Sequence, residues 1–192
     1  MKHLAVFVSG GGSNFRAIHQ KILAGEIDGR IELVVASKAD CGAVDYARAQ
    51  DIPVYIFPAA DQSSSDLLER LQEASADYIL LAGYLKLVPL VVVRAFPRRM
   101  VNIHPALLPD FGGRGYYGLR VHAAVIEAGC EESGVTVHFV DEIYDHGPII
   151  AQSRVAVLPD DTPETLAARV LEQEHRLYPG VVASLCAGEY DE

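Results

Sequence analysis

The strongest constraint on the fold is an alternation of two periods along the chain. Short, nearly continuous apolar runs at 4–8, 31–36, 52–57 and 78–82 alternate with stretches of helical spacing. Phe15, Ile18 and Ile22 fall on one side of a helix over 15–23, and Leu67, Leu68 and Leu71 on one side of a helix over 65–74. The Ser–Asp run before the second of these is expected to cap it. Tyr78 to Ala82 is almost entirely apolar, as a strand covered on both faces must be. Strands that alternate with helices build a parallel sheet through crossover connections.

Further helices are expected at 42–50, 90–95 and 119–128, and a fifth strand at Met100–His104. The last helix, 163–187, has Thr162 as its cap and Pro163 in its first turn. Two more strands, 136–140 and 149–157, are joined by Asp141–Pro148, which is too short for a crossover helix. That pair is therefore antiparallel. The expected fold is α/β and single-domain. It is Rossmann-like, with a mostly parallel twisted sheet of about seven strands, helices on both faces and an antiparallel C-terminal pair. Residues 1–100 would form a phosphate-binding half and 101–192 a catalytic half.

With 192 residues the chain can bury one sizeable core. Its formal net charge of −10 argues against a nucleic acid partner, and Arg98–Arg99 is too small a basic patch to reverse that. No apolar run reaches membrane-spanning length, and the first apolar stretch runs straight into a glycine turn. A cytoplasmic protein without membrane contact is expected. Cys41, Cys130 and Cys186 are far apart and lack CxxC spacing, so structural zinc is not expected.

Chemistry concentrates at a few places. Asn102 and His104 alternate at the end of the fifth strand, so they project from one face, and Pro105 ends the strand. Ligands of open α/β sheets bind at such carboxyl ends. After the first strand, Ser9–Asn14 forms a glycine turn into a helix, a geometry that binds a phosphate through backbone N–H groups. It begins like a dinucleotide fingerprint, but Phe15 stands where the third glycine or alanine belongs. Ser37 and Lys38 replace the ribose-binding acid, which disfavours a nicotinamide cofactor.

The loop Asp141–Pro148 carries Asp145 before His146, Gly147 and Pro148, and a carboxylate there could orient an imidazole or a water. Gly147 is expected to supply a positive φ. His138 reads as a satisfied sheet histidine, and Gln173–Glu174–His175 as a polar helix face within reach of substrate. Phe111–Gly118, with four glycines and three aromatics, suits a mobile flap in which Arg114 or the tyrosines meet ligand. Together these groups suit transfer of an activated one-carbon acyl group. An amide and an imidazolium would stabilise the oxyanion, and a carboxylate would favour the charged imidazole. No Ser or Cys nucleophile sits beside the strand, so direct transfer is the simpler mechanism.

The chain resembles the folate-dependent glycinamide ribonucleotide (GAR) formyltransferases of purine biosynthesis. The resemblance runs through SGGGSN at 9–14, ADYILLAGYLKLV at 76–88, NIHPALLP at 102–109, GVTVHFVDEIYDHGPII at 134–150 and EQEHRLYP at 172–179. It implies transfer of the formyl group of 10-formyltetrahydrofolate to the amine of GAR, by a monomer or homodimer, with no metal. It makes Asn102, His104 and Asp145 the catalytic set. Gly11, Gly12, Ser13, Asn14, Pro105 and Glu174 would bind GAR. Tyr84, Leu85, Lys86, Leu87, Val88, Val101, Val140 and Tyr144 would line the folate pocket. Lys86 stands where the family often has arginine, and the arginine frequent near Ser63–Ser65 is absent. His122, in a longer loop than many members carry, matches a family position. The alternatives are a formyltetrahydrofolate hydrolase and a non-catalytic folate- or phosphate-binding module.

Overall fold

The structure is a computed structural model that describes residues 1–57 and 64–190. In chain order its elements are β1 (Lys2–Val8), α1 (Ser13–Leu23), β2 (Gly29–Ala36), α2 (Gly42–Ala49), β3 (Val54–Ile56), α3 (Ser64–Glu73) and β4 (Tyr78–Leu81). They continue with α4 (Leu90–Ala95), β5 (Met100–His104), α5 (Leu119–Glu127), β6 (Glu132–Phe139), β7 (Ile149–Ala156) and α6 (Pro163–Cys186). Among the described residues the sheet has seven strands, in the order β3-β2-β1-β4-β5-β6-β7. β1 runs parallel to β2 and β4, β2 runs parallel to β3, and β6–β7 is antiparallel. This is the α/β class that the alternation of periods predicts.

The chain divides into two compact units, 1–101 with 182–192, and 102–181. In the first, β1 and β4 are buried almost throughout, and Phe15 and Ile18 of α1, Ala43, Val44 and Ala47 of α2, and Leu67 and Leu71 of α3 are enclosed. Burying a side chain of leucine or phenylalanine size contributes about 1.5–3 kcal/mol. Ser9, just past β1, fixes the loop ends of this unit. Its Oγ accepts the Ser37 hydroxyl at 2.8 Å and the Leu85 N–H at 2.9 Å. Ser63, in the Ser–Asp run expected to cap α3, lies outside the described residues.

In the second unit the core is formed by Val121 and Val125 of α5, Val135 and Val137 of β6, and Leu166, Val170 and Tyr178 of α6. α6 starts as expected. Thr165 N–H donates to Thr162 Oγ1 at 3.3 Å, and Thr162 N–H to Thr165 Oγ1 at 2.9 Å, so two donors at the helix start are satisfied reciprocally. Strand bounds differ most from the sequence reading at two places. β3 is short because Pro53 lacks an N–H; its carbonyl still accepts Val34 N–H at 2.8 Å. β6 begins four residues early, at Glu132, whose Glu-Ser-Gly start looks like a turn. Gly134 belongs there because a Cβ would collide with the Ser153 carbonyl oxygen on β7.

Candidate active site

β5 delivers Asn102 and His104 as its alternation requires, with Asn102 half-buried and His104 4% exposed. Asp145 reaches them from the loop after β6. It has φ 51°, a left-handed conformation that an aspartate tolerates better than most residues. The Asp145 carboxylate lies 3.6 Å from His104 Nδ1 through Oδ2 and accepts from Asn102 Nδ2 at 3.3 Å through Oδ1. It also accepts the Gly113 N–H at 2.9 Å. The three residues singled out on different stretches of the chain thus form one cluster, within the unit 102–181.

The loop folds as it does for a reason other than the expected one. Gly147 is not among the positive-φ glycines; it is needed because a Cβ would collide with the Phe139 carbonyl oxygen. That approach accompanies the bond from Phe139 N–H to Pro148 C=O, 2.9 Å long. At the loop's start Asp141 accepts Ile143 N–H and pairs with His146 Nδ1, both at 2.8 Å.

His138 was not expected to matter, and it belongs to the cluster. Its Nδ1 lies 2.8 Å from its neighbour's carbonyl, Phe139 O, so Nδ1 carries the proton of the neutral ring and Nε2 accepts. Asn102 Nδ2 stands 3.1 Å from that Nε2, and Asp145 Oδ1 stands 3.5 Å from it. The Asn102 amide therefore donates to two acceptors at once. The β6–β7 register shifts between Val137 and His138, where an extra β7 residue locally re-aims the strand. The signal in the sequence was Thr136 and His138, two polar residues on one face of an otherwise apolar strand.

His104 Nε2 lies 2.8 Å from the Phe111 carbonyl oxygen and donates to it. Phe111 has φ 54°, a costly conformation for so bulky a residue, and its carbonyl fixes the tautomer. Nδ1 is then the ring atom left for chemistry, on the Asp145 side. Burial lowers the His104 pKa below its ordinary value. Asp145 and the Phe111 carbonyl oppose that shift, and His138 adds to it. Asp145 thus favours the charged imidazole as expected, but burial outweighs it and the net shift is toward the neutral ring. For Asp145 itself, burial raises the pKa, but the neighbouring imidazoles of His138 and His104 and the Gly113 N–H outweigh it, and the net shift is downward. His122 on α5 is buried too, and burial, then the charge of His104, lowers its pKa.

The remaining candidates are placed as follows. Pro105 is half-buried next to His104, and Glu174 is half-buried on α6, where Gln173 Oε1 accepts the Ser153 hydroxyl at 3.0 Å. In the other unit, Gly12 precedes α1 with φ 74°, and a Cβ there would lie 2.7 Å from Ala43 Cβ. Gly11 and Ser13 are exposed and Asn14 is buried. Tyr84 is buried edge-on against Phe7, and burial pushes its hydroxyl pKa up to about 12. Leu85, Lys86 and Leu87 are exposed, Val88 is buried and Val101 is fully enclosed. Val140 is half-buried and Tyr144 exposed. Tyr144 also lines a cavity of about 260 Å³ with Leu108, Gly113, Asp145 and Ile149. In the 111–118 loop, Tyr116 meets Phe111 edge to face at 6.2 Å, and Arg114 acts electrostatically on Tyr144. Among the described residues no group of three or more His, Cys, Asp or Glu side chains is arranged to hold a metal ion.

The chain is a mostly parallel α/β sheet whose internal strand β5 carries Asn-x-His, with an acid beside it from a later hairpin loop. The family model for formyl transferases matches residues 2–182, and the chain belongs to that family. It is 54% identical over 191 residues to a chloroplastic phosphoribosylglycinamide formyltransferase of Arabidopsis thaliana, covering 96% of this chain and 65% of that protein. It is 37% identical over 187 residues to a phosphoribosylglycinamide formyltransferase of Haemophilus influenzae, covering 95% of this chain and 86% of that one. The crystal structure of glycinamide ribonucleotide transformylase 1 from Symbiobacterium toebii superposes with a TM-score of 0.90 at 39% identity, covering 98% of this chain and 89% of that one. The chain spans less than two thirds of the length of the plant relatives it matches. Among the described residues no helix is long and apolar enough to cross a membrane.

Proposed function

We propose that this protein transfers the formyl group of 10-formyltetrahydrofolate to the amine of GAR, giving N-formyl-GAR and tetrahydrofolate, in purine biosynthesis. The observation that carries the reading is the cluster of Asn102, His104 and Asp145, in which Asn102 donates to the Asp145 carboxylate, His104 Nδ1 faces it at 3.6 Å and Phe111 holds the other imidazole nitrogen. The amine nitrogen attacks the formyl carbon, and the carbonyl becomes an oxyanion. An Asn102 N–H stabilises it, and the longer of its two present bonds, to Asp145, is the one the oxyanion takes over. The neutral His104 Nδ1 accepts a proton from the attacking nitrogen, and the Asp145 charge stabilises the imidazolium that forms. The bond from formyl carbon to folate nitrogen breaks, and that nitrogen takes the proton.

In this reading Gly11, Gly12, Ser13 and Asn14 hold the GAR phosphate, and Pro105 and Glu174 meet the rest of GAR. Tyr84–Val88, Val101, Val140 and Tyr144 shape the folate pocket. The halves 1–100 and 101–192 then divide phosphate binding from chemistry. Both partners are small molecules, the working form is a monomer or homodimer, and the location is the cytoplasm.

Turnover decides between this reading and hydrolysis. Tetrahydrofolate formation is followed by absorbance with and without GAR. Formation that requires GAR is the expected result. Equal rates without it would assign the acceptor to water, and no formation under either condition would leave a binding module.

A further inference from the structure

We propose that Thr136 and Gln152 are positioning residues for His104. The proposal rests on the reading of His104 as a reacting group. Thr136 is fully buried on β6, its hydroxyl makes three hydrogen bonds, its whole capacity, and two of them reach the segment that follows the catalytic strand. It donates to the Ala106 carbonyl at 2.7 Å and accepts Leu108 N–H at 3.0 Å. Gln152 Nε2, from β7, donates to the same hydroxyl oxygen at 2.8 Å and to the Leu108 carbonyl at 3.0 Å. Three bonds thus clamp Ala106 and Leu108 to the β6–β7 pair, and the fourth ties Gln152 to Thr136.

That clamp sits between the two points that define the imidazole. His104 precedes it by two residues, and Phe111, whose carbonyl accepts His104 Nε2–H, follows it by three. A segment free to shift would move the ring and its acceptor independently, and Nδ1 would lose its place opposite Asp145. Misplacing a reacting group by about 1 Å can cost on the order of a hundredfold in rate. Thr136 and Gln152 touch neither reacting atom in this scheme. They act through the 105–111 segment, so their loss should lower kcat and leave substrate affinity nearly intact.

The test uses Thr136→Val, which keeps the shape and removes the hydroxyl, Thr136→Ser, which keeps the hydroxyl, and Gln152→Met. Two readouts are taken on each full-length variant: kcat and KM for both substrates, and the ¹⁵N shifts of the His104 imidazole in the ligand-free protein. We expect Thr136→Val to lower kcat by roughly ten- to a hundredfold, with both KM values within about threefold of the parent. The imidazole should change from a single Nε2–H tautomer to a mixture, and Thr136→Ser should restore both readouts. Unchanged kcat and an unchanged His104 spectrum in Thr136→Val, or a serine variant no better than the valine, would overturn the proposal. If Thr136→Val does not fold, Gln152→Met is judged by the same two readouts. Absence of formyl transfer by the parent would sink the reaction assigned above, whereas the ¹⁵N spectra would still test the clamp.

Discussion

At the scale of single residues, the decisive balance is between burial and charge at His104. Burial favours the neutral imidazole, and the Asp145 carboxylate is the first of the influences that oppose it. Asp145→Asn keeps the shape and removes that charge. The His104 pKa should then fall further, so the imidazole-dependent limb of the kcat/KM profile moves to lower pH. The imidazolium formed during transfer also loses its counter-charge. Losing a preorganised electrostatic partner costs on the order of a hundred- to a thousandfold in turnover, and impaired proton transfer adds a comparable factor. Single-turnover formyl transfer should therefore slow by roughly two to four orders of magnitude. GAR binding, measured by calorimetry, should hardly change, because the phosphate site assigned to the turn at 11–14 does not use Asp145. Near-normal turnover would remove Asp145 from the mechanism.

At the scale of elements, the loop after β6 shows how backbone contacts place a side chain. Gly147 lies so close to the Phe139 carbonyl that even one methyl group collides with it. Gly147→Ala should push the loop off β6, weaken the bond between Phe139 N–H and Pro148 C=O, and carry Asp145 away from His104. Turnover should fall at least tenfold, with a lower thermal midpoint, and loss of the unusual His104 titration in an NMR pH series would report the displacement; an unperturbed titration would count against it. This loop also marks the limit of what the sequence discloses. Strand periodicity made Asn102 and His104 neighbours on one face, and loop length made β6–β7 antiparallel, because both follow from local geometry. Asp145 could be singled out by its His-Gly-Pro context, but its positive φ and its bond to Gly113 come from tertiary packing. His138 was hidden because a polar residue in an apolar strand is ordinarily satisfied by its own surroundings; the register shift at Val137/His138 and the Asn102 amide make it part of the cluster. Glu132–Gly134 lay outside the expected strand, since only the partner strand reveals why a glycine must stand against the Ser153 carbonyl.

At the scale of the whole molecule, the buried histidines make the protein sensitive to mild acid. Burial lowers the pKa values of His19, His104, His122 and His175 below the ordinary 6.5, although Asp145 and the Phe111 carbonyl work against it at His104. In the unfolded chain these rings return to about 6.5. As pH falls through that value the unfolded state binds more protons than the native state, so stability drops with falling pH. Asp141, Asp145 and Asp161 have pKa values below the ordinary 3.8, so the stability they contribute is held above that value and lost only as pH falls below it. Below about pH 6.5, until the rings of the folded protein themselves gain protons, the histidines therefore set the slope, at most about 1.4 kcal/mol per pH unit for each ring. The net charge of −10 shrinks over the same range, and the relief of self-repulsion works in the opposite direction. Salt at about 0.15 M screens that term between exposed charges, while the buried rings keep their desolvation cost. Urea midpoints measured in this salt should fall steadily from pH 7.5 to 5, and His122→Asn should flatten the slope by one ring's share. A midpoint constant across that range would mean that the histidines gain protons in the folded protein as readily as in the unfolded chain.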